Sequence, residues 1–570
     1  MTTTRNNQFG LALKLFLLLV AVGVVSAISA VTAAAAPAIV TQNGPLKGTE
    51  TATMNEYLGI PYAVPPVGPL RWTPPRPHGR WHGVFQATQF GSECTQPGPS
   101  GSENCLFLNV YTPRGRERLE RVGDETANRG EERKRGLPVM VWIHGGALTT
   151  GSSDPYDPTR LVKRGVIVVT INYRIGFLGF FAHSAIDAEG HLNGNYGLMD
   201  QQLALKWVRR NIEAFGGDPD RVTIFGESAG GQSVYSQLAS PLAASLFRRA
   251  IAESGSYLEF QAYFDYIVTL AIAETTGSAG VPSGNAIAVA VGCGSMATAS
   301  CLRGVPASTL VSAQPSTLYP FVDGTLLTQT PGAAFASGQF NRVPVISGGN
   351  HDEWRLFVAD DYNFLGTPLV TEADYEAAVN LLYIGFGPLF GQDFIYGPLG
   401  LYPLVDYPIP PPIPPGDPSP SPGIALGASG TDAIFACPER NGVQLLSQYV
   451  TTYAYEFNDE NAPPAQSLFG GLLNFPLGAY HTAELQYLFN GDFFGLPVAP
   501  LSPTQEQLSD AMISYWTHFA KTGDPNSFGE PVWSPYNALT DEFQSLVPPT
   551  PVVETSFNKD HFCSIFWNTL

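Results

Sequence analysis

The chain has 570 residues, 44% hydrophobic and 12% aromatic, which is enough apolar material for one large buried core and far from a disordered composition. Its formal net charge of −19 argues against a nucleic-acid partner or an anionic membrane surface, because phosphate contacts need clustered Lys and Arg. Length alone leaves the domain count open, and no internal repeat points to a solenoid.

Residues 1–36 read as a secretory signal. Arg5 and Lys14 precede an apolar run over residues 15–25, small residues follow, and cleavage is expected between Ala27 and Ala36. The run is short for a membrane span and no later segment is long and apolar enough for one. Residues 37–570 are therefore expected to form one soluble, secreted domain with no stable membrane insertion. Six cysteines in an exported chain are most simply three disulfides. No N-x-S/T sequon occurs, so N-glycosylation is not expected.

Strand-like runs follow at "LPVMVWIHGG" (137–146) and "GVIVVTINYR" (165–174). An amphipathic helix is expected over 196–216 and a strand at 222–225. Continuous apolar strands separated by helices describe a mainly parallel sheet buried on both faces, the α/β class. Residues 114–136 are densely charged and residues 403–423 are proline-rich. Both are expected to be surface insertions rather than domain linkers.

After the strand at 222–225 comes "GESAGG", in which Gly226, Ser228 and Gly230 form G-x-S-x-G. This elbow lifts a nucleophilic serine off a strand end, and its glycines avoid collision in a sharp strand-to-helix reversal. A serine hydroxyl is a poor nucleophile, so it needs a base, an acid that orients the base, and donors for an oxyanion. Ala229 opens the next helix, where backbone N–H groups lack partners. Upstream, "WIHGGALTTG" (142–151) follows an apolar strand, with small residues that let its backbone approach a substrate.

In this order the motifs resemble the type-B carboxylesterase/lipase family, which has the α/β-hydrolase fold and includes acetylcholinesterase. "YLGIPYAVPPVGPLRWTPP" (57–75), "SENCLFLNVYTP" (102–113), the stretch 194–231 around the elbow, "GAYHTAELQYLF" (478–489) and "WTHFAKTGDPN" (516–526) each match in turn. The resemblance implies Ser228 as nucleophile, Glu353 of "GGNHDEW" as acid and His481 of "GAYHTAE" as base. Nine histidines and 49 acidic residues leave spacing alone unable to choose them, and His351 and Asp352 are the competitors. It also implies oxyanion donors at the N–H groups of Gly146, Ala147 and Ala229, and Ser254 as a support behind the acid. His144 reads as a structural hydrogen bonder. Most relatives carry glycine at position 147 and after the acid, whereas this chain has Ala147 and Trp354.

Six cysteines allow fifteen pairings, and the resemblance selects Cys94 with Cys105, Cys293 with Cys301, and Cys437 with Cys563. The implied activity is hydrolysis of small-molecule carboxylic esters through an acyl-enzyme. No metal-ligand spacing occurs among Cys and His positions, and no cofactor is expected. Oligomeric state is not legible. A lipase and a non-catalytic adhesion protein of the same fold are the alternative functions. The loop between Cys94 and Cys105 is short and carries no tryptophan, which disfavours a cholinesterase and an interfacial lid from this region.

Overall fold

The apolar runs form the middle of a twelve-stranded sheet in the computed structural model of the protein. The structure describes residues 34–114, 136–256, 268–277, 281–294, 297–364, 366–383, 396–408, 421–463, 473–491 and 499–569. The unit Ala35–Leu570 carries the fold. The signal segment lies outside the described residues, apart from its last three positions.

The longer strands are β1 (Met54–Pro61), β2 (Phe107–Pro113), β3 (Leu137–Ile143), β4 (Ile167–Ile171), β5 (Gly217–Glu227), β6 (Arg249–Glu253), β7 (Val345–Asn350), β8 (Thr452–Phe457), β9 (Phe543–Leu546) and β10 (Val552–Glu554). Their spatial order is β1-β2-β4-β3-β5-β6-β7-β8-β9-β10. From β4 to β9 every neighbouring pair is parallel. The outer pairs are antiparallel, so the sheet is mixed, with a parallel centre.

Successive side chains of a strand point to opposite faces, and here both faces are covered. Val139, Val141 and Ile143 join Val222 and Ile224 in one apolar cluster. Met140, Trp142 and Phe225 join the other. That double burial is why these strands read as continuous rather than alternating.

Helix α1 (Tyr196–Asn211) matches the expected position, and a short turn, Ile212–Phe215, completes it with Gly216 at φ 87°. The helix is not one-sided, however, because Lys206, Arg209 and Arg210 are its only residues that are not buried. It buries Asp200, which pairs with Arg174 at 2.8 Å, so a charge that reads as solvent-facing is satisfied inside. Helix α2 (Ala229–Ala239) follows the elbow directly. Helix α3 (Pro422–Thr431) is N-capped by Ser421, so the expected insertion at 403–423 ends before this cap; its residues 409–420, like 115–135, lie outside the described residues. Helix α4 is Cys437–Ser447. Helix α5 (Pro503–Thr522) starts at a reciprocal Ser502–Gln505 capping box and stops at Gly523, φ 89°.

Three disulfides join Cys94 to Cys105, Cys293 to Cys301 and Cys437 to Cys563. Among the described residues no helix is long and apolar enough to cross a membrane.

Candidate active site

The site lies beyond the carboxyl ends of the parallel strands, where open α/β sheets place ligands. Between β5 and α2, Ser228 adopts φ 57°, ψ −125°, a conformation that L-residues avoid and that surrounding structure must enforce. Its N–H donates to the carbonyl of Glu253 at 2.9 Å. The glycines do what the motif requires. A Cβ on Gly226 would lie 2.5 Å from the Ile143 carbonyl and 2.7 Å from the carbonyl carbon of Gly230, and one on Gly230 would lie 2.0 Å from the Ile143 carbonyl. The elbow is thus pressed against the end of β3 as well as against itself.

Glu353 follows β7 and is fully buried. Its Oε1 accepts from the Ser254 hydroxyl at 2.6 Å and from the Asn350 N–H at 2.7 Å. Its Oε2 accepts from Nδ1 of His481 at 2.6 Å. The other imidazole nitrogen, Nε2, is 3.2 Å from Oε1 of Glu227, the residue before Ser228, so the ring lies against the elbow. Burial alone would lower the His481 pKa, but Glu227, Glu353 and Glu484 outweigh it and raise it to about 9. Glu227 is itself pushed well above the carboxylate range, by desolvation first. Desolvation likewise lifts Glu484 to about 7.

The competing residues are engaged elsewhere. Asp352 binds Arg355 at 2.8 Å and accepts the Ala479 N–H at 2.9 Å, and His351 Nδ1 faces Asp352 at 3.2 Å. His144 stacks on Tyr173, ring centroids 4.4 Å apart, and its Nδ1 bonds the Gly145 carbonyl at 2.8 Å. Burial lowers its pKa to about 4, so it stays neutral and structural.

After β3 the chain passes through Gly146, Ala147 and Leu148 with φ of 104°, 54° and 59°. Successive residues of this kind turn their N–H groups toward one side, making a concavity suited to an anion. Among the described residues no backbone carbonyl accepts the Gly146 or Ala147 N–H. The loop is held from outside: the Leu318 N–H donates to the Ala147 carbonyl at 3.0 Å and the Gly176 N–H to that of Leu148 at 2.6 Å. A Cβ on Gly145 would lie 3.0 Å from that of Ser228, so this segment runs directly beside the elbow. Ala229 is buried at the start of α2.

The family profile described as "Carboxylesterase family" matches residues 35–382 and 419–564. The chain belongs to the carboxylesterase family. This carboxylesterase is 34% identical over 530 residues to human (Homo sapiens) cocaine esterase, covering 87% of this chain and 84% of that relative. It is 33% identical over 531 residues to para-nitrobenzyl esterase of Bacillus subtilis (strain 168), covering 88% and 93%. The solved structure of a PNB esterase superimposes with a TM-score of 0.70 at 30% identity, over 93% of this chain and 99% of that one. The enzyme is a serine hydrolase acting on carboxylic esters, with the α/β-hydrolase fold.

Two departures from the family pattern have structural accounts. Ala147 takes a left-handed conformation that glycine adopts without cost, yet keeps its N–H. The Trp354 indole stacks on Phe357 with centroids 4.5 Å apart, and the Trp354 backbone N–H donates to the Thr431 hydroxyl at 2.9 Å. Phe357 and Phe435 in turn lie 5.1 and 5.2 Å from the His481 ring.

Sequence reasoning missed three residues of this site: Glu227, Glu484 and Asn350. The first sits inside the elbow motif and the second inside "GAYHTAE". A carboxylate one residue before a candidate nucleophile, or three after a candidate base, was the available signal.

Proposed function

We propose that Ser228, Glu353 and His481 are the catalytic triad of a secreted esterase that hydrolyses small, water-soluble carboxylic esters. The observation that carries this reading is the Glu353–His481 hydrogen bond of 2.6 Å beside a serine held in a strained elbow.

Glu353, oriented by Ser254 and Asn350, fixes the tautomer of His481 so that Nε2 takes the proton of the Ser228 hydroxyl. Ser228 attacks the ester carbonyl, and the oxyanion is received by the N–H groups of Gly146, Ala147 and Ala229. His481 then protonates the departing alcohol. Water, activated by the same imidazole, attacks the acyl-enzyme and releases the acid. The carboxylates around His481 favour its cationic form, which is the form that develops in each tetrahedral transition state.

Soluble rather than interfacial substrates follow from the loop after Cys94. Its ends are fastened by the Cys94–Cys105 disulfide, Cα–Cα 4.9 Å, and Cys94 also bridges Ser102. Its ten residues, "TQPGPSGSEN", contain no large apolar side chain, so it has no face to lay over an apolar cleft. Secretion is supported by the apolar N-terminal segment with its small-residue cleavage region and by three disulfides.

The test is to treat wild type and Ser228→Ala with a fluorophosphonate probe and locate the adduct by peptide mapping. Labelling of Ser228, lost together with ester hydrolysis in the variant, supports the assignment. An adduct on another serine overturns it.

A further inference from the structure

A second cluster of ionisable groups lies outside this site. His351 directly follows β7, Glu456 is in β8, and His561 is in the C-terminal segment two residues before Cys563. Each offers one ligand atom, and those atoms all lie within 4.8 Å of one another. We propose that His351, Glu456 and His561 bind one divalent transition-metal cation of the zinc class.

The surroundings are built as a metal site's are. His561 Nδ1 donates to Oδ1 of Asp432 at 2.5 Å, which leaves Nε2 facing Oε1 of Glu456 at 2.6 Å. A carboxylate behind a histidine that fixes its tautomer and aims the other nitrogen is the recurrent outer support of a ligating imidazole. Asp432 is itself held, because the Tyr402 hydroxyl donates to Oδ2 at 2.6 Å and Trp567 Nε1 donates to the Tyr402 oxygen at 2.7 Å. Glu456 is fixed in the same way: Asn458 donates to Oε2 at 2.9 Å, leaving Oε1 toward the cluster. His351 has its own carboxylate neighbour in Asp352.

Two imidazoles and one carboxylate suit zinc and its neighbours, whereas calcium and magnesium require six or more oxygens or several retained waters. Tetrahedral ligand atoms around zinc are about 3.3 Å apart, so the widest separation has to close by about 1.5 Å at most, while His561 Nε2 and Glu456 Oε1 open from 2.6 Å. The cation would take the place of the proton between His561 Nε2 and Glu456 Oε1. Glu456 and His561 are buried, while the His351 side chain is 35% exposed. A cation can therefore enter from the His351 side, and a water can fill the fourth position there. The role is structural: the cation would clamp the C-terminal segment to two adjacent strands, beside the Cys437–Cys563 disulfide. No sequence spacing could reveal it, since Glu456 and His561 are 105 positions apart.

The full-length secreted chain, stripped with EDTA, should be titrated with Zn²⁺ alone by calorimetry and by melting. The expected result is one Zn²⁺ per chain and a raised melting midpoint, with visible ligand-field bands of tetrahedral intensity when Co²⁺ replaces zinc and no shift with Ca²⁺. His351→Gln lies on the exposed side, so it should melt like wild type in EDTA yet bind Zn²⁺ at least about ten-fold more weakly. Glu456→Gln should weaken binding further. Absence of a zinc-dependent midpoint shift at micromolar Zn²⁺ in wild type would overturn the proposal. So would unchanged stoichiometry and affinity in His351→Gln, which would leave His561 as an imidazolium held between two carboxylates.

Discussion

The indole of Trp354 fills the space that a side chain at Gly430 would need: a Cβ there would lie 2.3 Å from the indole Cδ1. The glycine in α3 thus accommodates the bulky residue next to the acid. Gly430→Ala should lower stability by about 1–3 kcal/mol and reduce kcat by displacing the loop that carries Glu353. In the double variant Gly430→Ala, Trp354→Gly the clash is gone, and a large part of both losses should return. Urea unfolding and steady-state kinetics on the three proteins check this, and simple additivity of the two substitutions would disprove the coupling.

Ser228→Ala should reduce kcat by roughly 10³–10⁶-fold, with substrate binding retained. His481→Ala should be comparably damaging, whereas His351→Ala should leave kcat within a few-fold of wild type. Rates measured on one soluble aryl ester decide the ranking, and a reversed order of the two histidines would transfer the base to His351.

The proposed base works only when neutral, so on this assignment activity should rise with pH as His481 loses its proton. An ordinary histidine would place that rise at about 6–7. The carboxylates hold the proton on and raise the His481 pKa to about 9, which moves the acid limb of kcat/KM upward. Glu227 exerts the largest part of this pull where it is ionised beside the imidazolium, so Glu227→Gln should shift the limb back down. An unchanged limb in that variant would mean that Glu227 does not act on the base.

Cys437 and Cys563 are 126 positions apart, against 11 and 8 for the other two disulfides. In the chain-entropy account the long closure contributes about 5 kcal/mol and each short one about 2–3. Replacing both Cys437 and Cys563 with serine should therefore lower the melting midpoint more than removing either short bridge. Equal shifts for all three would count against a loop-length mechanism here.

With no lid on the Cys94–Cys105 loop, the initial rate on tributyrin should saturate smoothly through the solubility limit. A several-fold rise once droplets form would mark a lipase, with a cover supplied from elsewhere in the chain.

The sheet centre was legible because β3, β4 and β5 are apolar on both faces, a pattern that few other architectures produce. The elbow was legible for a different reason: Gly226 and Gly230 meet the Ile143 carbonyl so closely that the sequence has little freedom there. By contrast, the burial of α1 was missed because Asp200 is neutralised by Arg174, and residues 174 and 200 show no local sign of meeting. Glu353 and His481 were reachable only through resemblance, since the bond between them joins positions 128 apart. The carboxylates that set the His481 pKa gave still less warning, because a buried glutamate and a solvated one are the same letter.

The Ser228 N–H is held by the carbonyl of Glu253, and the carboxyl of that same residue accepts from Trp516 on α5 at 2.8 Å, across 263 positions of chain. A polypeptide made from its N-terminus presents the elbow serine first, the proposed acid and base later, and this indole buttress later still. The serine's backbone is thus anchored, through one residue, to a helix that begins almost three hundred positions after it, and a chain cut short before α5 would keep the elbow sequence but lose this buttress.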